Sequence, residues 1–421
     1  MAVTAPARPL RAPEIDEPEQ LEALIKEARR RARLRRLRYA TCVLLVASAG
    51  SAAVLGPGGG GGAGGPAAPG PAPAAAPWEI KLTGARLAYV PEHEHGSLYV
   101  TKPDGTGASA LAKCGQWVAL CVTSDPVWSP DGGRIAFLRG RATENDAADV
   151  ALYVIGLEGR RARRLAQCEG SDGGCGSWTW SRPTWSPDGS QIAFSRSGVL
   201  SIVDVESGRV RQLTRCAQTS CSDVRPAWSP DQRAIAFTRS TGKTHALYRV
   251  SVSGSQLQRL AAEGMNPAWA PDGKTILVET RRGVEVIAAD GSRRTLIARG
   301  STAELPTAPS WSPDGSRVLY FSFRREQRGF RAEVWSMRPN GSAKRRLYRQ
   351  PCCLDFVFWS KPVSSADGSR VAFSVYGPRY ELNVGGTFVV DADGTRLRNL
   401  TRERTELAWQ PKPVPTEEPD R

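Results

Sequence analysis

The pentapeptide Trp185-Ser186-Pro187-Asp188-Gly189, running on into Ser190-Gln191-Ile192-Ala193-Phe194, constrains this chain more than any other feature. Close copies begin at Trp128, Trp228, Trp269 and Trp311, and a degraded one ends at Asp367-Gly368. Each copy predicts a strand, a tight turn and a second strand. Trp and the Ile/Val-Ala-Phe triplet favour extended backbone, Pro fixes φ, Asp bonds its own backbone and Gly accepts φ > 0. One such hairpin cannot bury its apolar face alone, so neighbouring copies must cover it.

Alignment from Ala85 onward gives four strands per unit. The second strand recurs as Leu87-Ala88-Tyr89, Ile135-Ala136-Phe137, Ile192-Ala193-Phe194, Ile235-Ala236-Phe237, Ile276-Leu277-Val278, Val318-Leu319-Tyr320 and Val371-Ala372-Phe373. A third strand follows each, then a turn with Gly at 105, 159, 208, 254, 291, 341 or 394, then a fourth strand closing on a Leu. Nothing before Ala85 supplies the first strand of the first unit, and Leu407-Ala408-Trp409-Gln410-Pro411 supplies it from the other end. The expected fold is therefore all-β: a β-propeller of seven four-stranded blades over residues 78–411, closed by a C-terminal strand that leaves no free sheet edge. Six blades result if the last unit, with Ser364 in place of Trp and Ala366 in place of Pro, does not form one.

With these repeats on the page, the chain resembles the TolB-like, WD-repeat-like β-propellers of bacterial envelope proteins and of prolyl-oligopeptidase relatives. The resemblance covers about four fifths of the chain and implies the propeller fold. Its motif is structural, so it implies little about activity. A separate N-terminal TolB domain is not matched; a tether and an apparent membrane anchor take its place.

Residues 1–38 carry ten Lys/Arg and six Asp/Glu, with a helix expected from about Glu19 that runs into Arg29-Arg30-Arg31 and on to Arg38. The uncharged apolar run 39–55 follows, and seventeen residues at helical rise span roughly 26 Å. That predicts a transmembrane helix with a cytoplasmic N-terminus and an extracytoplasmic propeller, by the positive-inside rule. A cleaved signal peptide is the rival reading, since Ala47-Ser48-Ala49 offers small residues. Residues 56–77, nearly all Gly, Pro and Ala, form a linker, and 412–421 a disordered tail.

The chain is basic, with a net charge of +15. Its arginines are scattered along the repeats without an aromatic-interleaved motif, so no nucleic-acid partner is expected. Cys42 lies in the apolar run. The other eight cysteines pair locally as Cys114/Cys121, Cys168/Cys175, Cys216/Cys221 and Cys352/Cys353, which favours disulfides and an oxidising compartment. An adjacent pair makes a strained bridge, so Cys352 and Cys353 stay open between a vicinal disulfide and thiols with other partners.

In such a unit the first and third turns stay short, and length varies after the second strand or between units. Those variable connections share one rim of a propeller. They carry Trp117, Trp178, Trp180, Phe330, Tyr376 and Tyr380 beside Arg324, Arg325, Arg328, Arg331 and Arg379, the aromatic and arginine mixture used in binding surfaces. Some of these aromatics are expected to pack the loops down instead.

Catalytic signatures are sparse. His93 and His95 flank Glu94 with no further ligand near in sequence, so no metal is expected, and His245 stands alone. No Gly-x-Ser-x-Gly elbow, P-loop or Rossmann fingerprint occurs, so no cofactor is expected. The repeated Asp of Pro-Asp-Gly is read as turn-making. The expectation is a non-catalytic envelope scaffold whose partner is an envelope protein or a cell-wall polymer, its oligomeric state left open. The alternatives are a hydrolase or lyase acting on glycan or peptide through the central channel, and redox sensing through Cys352 and Cys353.

Overall fold

In a computed structural model the chain is described over residues 86–411, apart from loop segments 92–95, 114–120, 143–146, 159–160, 168–180, 216–220, 243, 328, 352–357, 380–381 and 402–404. The expected anchor and linker therefore lie outside the described residues. Among the described residues, no helix is long and apolar enough to cross a membrane.

Among the described residues, twenty-eight strands form seven four-stranded antiparallel sheets. Blade 1 contains β1 (Leu87–Pro91), β2 (Leu98–Thr101) and β3 (Ser109–Ala112). Blade 2 contains β4 (Cys121–Trp128), β5 (Arg134–Ala142), β6 (Ala147–Gly156) and β7 (Arg163–Gln167); blade 3, β8 (Ser181–Trp185), β9 (Gln191–Arg196), β10 (Val199–Asp204) and β11 (Val210–Gln212). Blade 4 contains β12 (Cys221–Trp228), β13 (Ala234–Thr241), β14 (Thr244–Ser251) and β15 (Gln258–Ala261); blade 5, β16 (Met265–Trp269), β17 (Thr275–Thr280), β18 (Gly283–Ala288) and β19 (Arg294–Arg299). Blade 6 contains β20 (Glu304–Trp311), β21 (Val318–Glu326), β22 (Gly329–Met337) and β23 (Arg345–Arg349); blade 7, β24 (Phe358–Ser364), β25 (Arg370–Arg379), β26 (Leu382–Asp391) and β27 (Arg398–Thr401). The last strand, β28 (Thr405–Trp409), completes blade 1 in the order β28-β1-β2-β3. Seven blades form, because the Ser364 unit keeps its pairing register despite the lost Trp.

The ring is closed as the sequence anticipates. β28 pairs with β1 from Leu87↔Trp409 to Pro91↔Thr405, and the Gln410 amide donates to Arg86 O at 2.8 Å. The first strand of each blade touches the first strands of its neighbours, which puts β4, β8, β12, β16, β20, β24 and β28 innermost around the axis.

The second strand of each blade is buried on both faces, because the next blade covers what its own blade does not. Phe137, Phe194, Phe237 and Phe373 occupy one equivalent position and are all fully buried, with Tyr320 at the same place in blade 6. Each contributes on the order of 2 kcal/mol from apolar burial. Side chains of consecutive blades share clusters: Leu200, Ile202 and Leu213 of blade 3 pack on Trp228, Ile235 and Phe237 of blade 4.

The repeated Trp adds a polar link between blades. The indole of Trp185 donates to Val127 O of the preceding blade at 3.0 Å. Trp128 on Ala408 O (2.9 Å), Trp269 on Ala227 O, Trp311 on Ala268 O and Trp409 on Val363 O (3.0 Å each) repeat the bond. Every acceptor sits one residue before the neighbouring blade's Trp, or its Ser364 substitute. Trp228 departs from the pattern, its Nε1 being buried without a partner. Where Ser364 leaves no indole, the Ser310 hydroxyl donates to Pro362 O at 2.6 Å and bridges blades 6 and 7.

Candidate interaction face and central channel

Because strand direction alternates within a blade, the turns after the first and third strands share one rim, and the connections after the second and fourth share the other. The first rim is chemically repetitive. Ser186 Oγ donates to Asp188 Oδ1 at 2.5 Å and accepts the Gln191 amide at 2.9 Å, while the same Oδ1 accepts the Ser190 amide at 3.0 Å. Ser229 with Asp231, Ser312 with Asp314 and Ser365 with Asp367 repeat the first bond at 2.5–2.6 Å. The serine hydroxyl holds each of these four carboxyls below the ordinary carboxylate range. In each of these aspartates Oδ1 closes the turn, as turn-making requires.

The opposite rim differs from blade to blade. Of the residues expected to bind there, Trp117, Trp178, Trp180, Arg328 and Tyr380 lie outside the described residues, as do Cys114, Cys168, Cys175, Cys216, Cys352 and Cys353. Arg379 is placed only by its backbone, at the end of β25. Cys121 and Cys221 open β4 and β12 at matching places.

Arg324, Arg325, Phe330 and Arg331 are brought together by the long hairpin β21–β22, where Arg324 faces Arg331 and Arg325 faces Phe330 across the ladder. Arg324 and Arg325 are exposed, and Phe330 keeps 38% of its surface in solvent. Arg331 is committed elsewhere: it forks onto Glu326 at 2.5 and 2.8 Å and donates to the carbonyls of Gln350 (2.8 Å) and Pro351 (3.1 Å). Tyr376 is nearly buried, so it packs its loop down. Leu305 of β20, 46% exposed and paired with Phe323, joins this surface. Sequence reading passed over it because an aliphatic residue opening a strand looks like core.

Blades 2 and 4 carry a shared device in two versions. The Arg239 guanidinium lies over Phe237 (5.6 Å) and Tyr248 (4.9 Å) and is held by both oxygens of buried Asp223, at 2.6 and 2.7 Å. The bond to Asp223 raises the Arg239 pKa. Arg139 lies over Phe137 and Tyr153 in the same way, at 5.1 and 5.9 Å, but donates to neutral acceptors, Thr123 Oγ1 at 3.2 Å and Ala112 O at 3.4 Å, and burial lowers its pKa.

The inner strands hold a feature that no expectation included. Every one except β28 shifts register three residues before its Trp, or before Ser364 in β24, at a residue followed by proline: Asp125, Arg182, Arg225, Asn266, Ala308 and Lys361. Four of the six take φ near +50°, a β-bulge geometry. In β28, Leu407 replaces the proline and the pairing is continuous through Glu406. The signal was present in the sequence as Pro-x-Trp, with a mostly polar residue before it.

The bulges ring the axis. Arg182 of blade 3 reaches back along the ring, its Nη2 donating to Pro126 O of blade 2 (3.4 Å) and Leu407 O of blade 1 (3.2 Å). The Glu406 carboxylate accepts the Asp125 amide across the same seam, and Glu279 Oε2 accepts from Asn266 Nδ2 (3.1 Å) and the Ala308 amide (3.0 Å). Lys361 of blade 7 is pulled down to about 7 by desolvation and by the charges of Arg182 and Arg225. Blades 3 and 4 stand opposite blade 7 in a ring of seven, so the inner strands that carry Arg182 and Arg225 lie across the axis from the one that carries Lys361. Among the described residues, no group of three or more His, Cys, Asp or Glu is placed to hold a metal ion.

Seven antiparallel blades, closed by the C-terminal strand and tied by Trp-to-carbonyl bonds, define a β-propeller of the Trp-Ser-Pro-Asp-Gly type. The TolB beta propeller domain model matches residues 81–363, and the chain belongs to that family. It is 34% identical over 113 residues to the Tol-Pal system protein TolB of Anaeromyxobacter dehalogenans (strain 2CP-C), covering 27% of this chain and 22% of that protein. It is 32% identical over 158 residues to the uncharacterized peptidase YuxL of Bacillus subtilis (strain 168), covering 37% of this chain and 21% of the relative. The chain thus spans about a fifth of the length of these curated relatives. Among solved structures, an oligogalacturonate lyase in complex with manganese is similar in fold, with a TM-score of 0.52, 16% identity, and 75% of this chain and 83% of that one covered.

Proposed function

We propose that this protein is a non-catalytic envelope scaffold that docks a protein partner through its variable rim. The observation that carries the reading is the blade 6 hairpin, where exposed Phe330 and Leu305 stand beside exposed Arg324 and Arg325. A large apolar side chain left in water among arginines is the composition of a binding hot spot. The relative of the Tol-Pal system supports an extracytoplasmic setting. Residues 39–55 serve as the anchor and 56–77 as the tether in this reading. The rim is clipped by local disulfides; in support, Cys121 and Cys221 are both engaged rather than free, each at the first residue of an inner strand. Closing such short loops contributes on the order of 2 kcal/mol.

A photo-cross-linking residue at position 330 in membrane-bound protein captures the partner, and one at position 188 on the repetitive rim does not. Capture only from position 188 overturns the choice of rim. The second reading, a hydrolase or lyase working in the channel, draws on the peptidase-named relative. It requires turnover of a peptide or acidic glycan that is lost on substitution of Asp125, Glu279 or Glu406, carboxylates at the bulged residues; no turnover across such a panel removes it.

A further inference from the structure

On the variable rim, blades 5 and 6 are joined by the connector 300–303, and hydrogen bonds fix it at both ends. The Gly300 amide donates to Arg282 O at the tip of the β17–β18 hairpin (2.7 Å), and Ala303 O accepts the Arg325 amide of β21 (2.8 Å). Between them, Ser301 Oγ accepts the amides of Ala303 (3.2 Å) and Glu304 (3.1 Å). Arg299, the last residue of β19, leads into the connector opposite Gly283. Arg282 and Arg299 of blade 5 are thereby held on the same stretch of rim as Arg324 and Arg325 of blade 6.

All four of these arginines are exposed, and among the described residues none has a carboxylate within ion-pair distance. The acids of the region are engaged elsewhere: Glu263 with Arg281, Glu326 with Arg331 and Glu333 with Arg349. Glu304 stands opposite Arg324 in the ladder but turns its carboxylate to the Ser322 hydroxyl at 2.6 Å. Even with Glu304 counted, the stretch keeps a surplus of positive charge. Side chains alternate along a strand, so Leu305, Arg325 and Phe330 share the blade 7 face of the hairpin with Phe323, while Arg324 lies on the blade 5 face. Leu305 and Phe330 keep 46% and 38% of their surfaces in solvent.

Two demands are therefore unmet side by side, one for carboxylates and one for an apolar cover. A polyanionic wall polymer answers only the first. An acidic protein segment that carries a large apolar side chain answers both. The backbone path from Arg282 to Arg325 crosses two hydrogen bonds and three residues, on the order of 20 Å, which an extended segment of about six residues spans.

We propose that the partner of the variable rim presents an acidic, extended segment that lies along connector 300–303. Its carboxylates meet Arg282, Arg299 and Arg324, and an aromatic or aliphatic side chain covers Leu305 and Phe330 beside Arg325. The inference rests on the rim reading above and adds the chemistry of the partner. A guanidinium offers a fork of N–H groups that matches a carboxylate. Because these groups are exposed, the pairing is screened by salt and acts mainly on association, whereas the apolar anchor sets how long the segment stays.

The test uses the full chain in detergent against an array of six-residue peptides that combine Asp and Glu with Leu, Phe or Tyr. In one matched array Lys replaces the acids, in another Ser replaces the apolar residues, and polygalacturonate serves as the wall-polymer probe. The best acidic-apolar peptide is expected to bind at least about tenfold tighter than its two matched counterparts, and more weakly as salt rises. Arg282→Ser with Arg299→Ser, and separately Arg324→Ser with Arg325→Ser, weaken it about tenfold, and Leu305→Ser about fivefold. Lys274→Ser with Arg293→Ser removes the same charge from the repetitive rim of blade 5 and leaves affinity unchanged. Equal binding of the lysine array overturns the inference, as does unchanged affinity in both arginine pairs. Polygalacturonate binding tighter than any peptide, with no loss in Leu305→Ser, overturns it in favour of a wall polymer. Cross-linking decides the rim reading separately: capture of a partner from position 330 while the acidic array stays unbound removes the acidic segment and leaves the rim standing.

Discussion

On one rim of the ring the same bond recurs blade after blade: Ser186 on Asp188, Ser229 on Asp231, Ser312 on Asp314, Ser365 on Asp367. On the other rim the blades disagree. Blade 3 turns through Ser197 and Gly198 alone, while blade 6 extends two nine-residue strands that leave Phe330 and two arginines in water. Repetition here marks groups that close the turns of the fold, and variation marks groups left to solvent. In the proposed reading the conspicuous Trp-Ser-Pro-Asp-Gly signature builds the turns, and the partner docks on the opposite rim.

The largest effect should come from the repetitive side. Trp185 is nearly buried, packs across two blades and bonds Val127 O. Trp185→Ala is expected to cost about 3–5 kcal/mol in urea unfolding, combining a cavity with an orphaned carbonyl. Phenylalanine separates the two parts. Trp185→Phe should cost about 1 kcal/mol more than Trp228→Phe, because the Trp228 indole has no bond to lose. Equal costs at both sites show that the indole bonds add nothing to packing.

Much of this architecture was legible in the sequence, and the exceptions share a cause. Strand pairs, turns and the closing strand Leu407-Ala408-Trp409 follow from local pattern, because β-propensity and turn chemistry act within a few residues. The indole acceptors, the Ser310 bridge and the reach of Arg182 to Leu407 O are set by which blades become neighbours or face one another, which no spacing within a unit encodes. Arg331 reads as a binding residue until Glu326, five positions back, is seen to hold it. Leu305 reads as core until its strand is seen to begin at the rim. The inner bulges lay between the two cases, since Pro-x-Trp announces an interruption without saying that the preceding residue turns to the axis.

Next in size is the turn carboxylate. Asp188→Ala removes acceptors for the Ser186 hydroxyl and the Ser190 amide and should cost about 1 kcal/mol. The carboxyl is held below its unfolded pKa by the Ser186 hydroxyl, so its contribution is present above about pH 4 and is lost as the pH falls through the folded value. Asp231, Asp314 and Asp367 act in the same direction. Unfolding between pH 2 and 7 should show stability falling on the acid side, with a shallower fall in Asp188→Asn. An unchanged slope in that variant shows that the turn does not favour the charged form.

Smaller still, and of opposite sign, is the one turn that breaks its own pattern. Gln232 stands where the other blades have Gly, with φ of 62° against 71° at Gly189. A left-handed backbone costs a side-chain-bearing residue about 1–2 kcal/mol, part of which Gly returns as unfolded-state entropy. Gln232→Gly should therefore stabilise by about 0.5–1 kcal/mol in urea unfolding. No gain would mean that the Gln232 side chain is compensated by contacts of its own.

The smallest stability effect belongs to the variable rim, and there smallness is what matters. Arg324 and Arg325 are exposed, so little folding energy depends on their heads, while Phe330 leaves 38% of its surface in solvent. Arg324→Ser with Arg325→Ser should change the unfolding free energy by no more than about 0.5 kcal/mol, and Phe330→Ser by about 1 kcal/mol for the covered part of its ring. Arg331→Ser on the same hairpin should cost more, about 1–3 kcal/mol, because it strips the Glu326 carboxylate and two carbonyls of their donor. That contrast, within one hairpin, separates residues that hold the rim in shape from residues the rim holds out. If Phe330→Ser destabilises as much as Arg331→Ser, the exposed face is structural too, and the difference between the two rims no longer points to a partner.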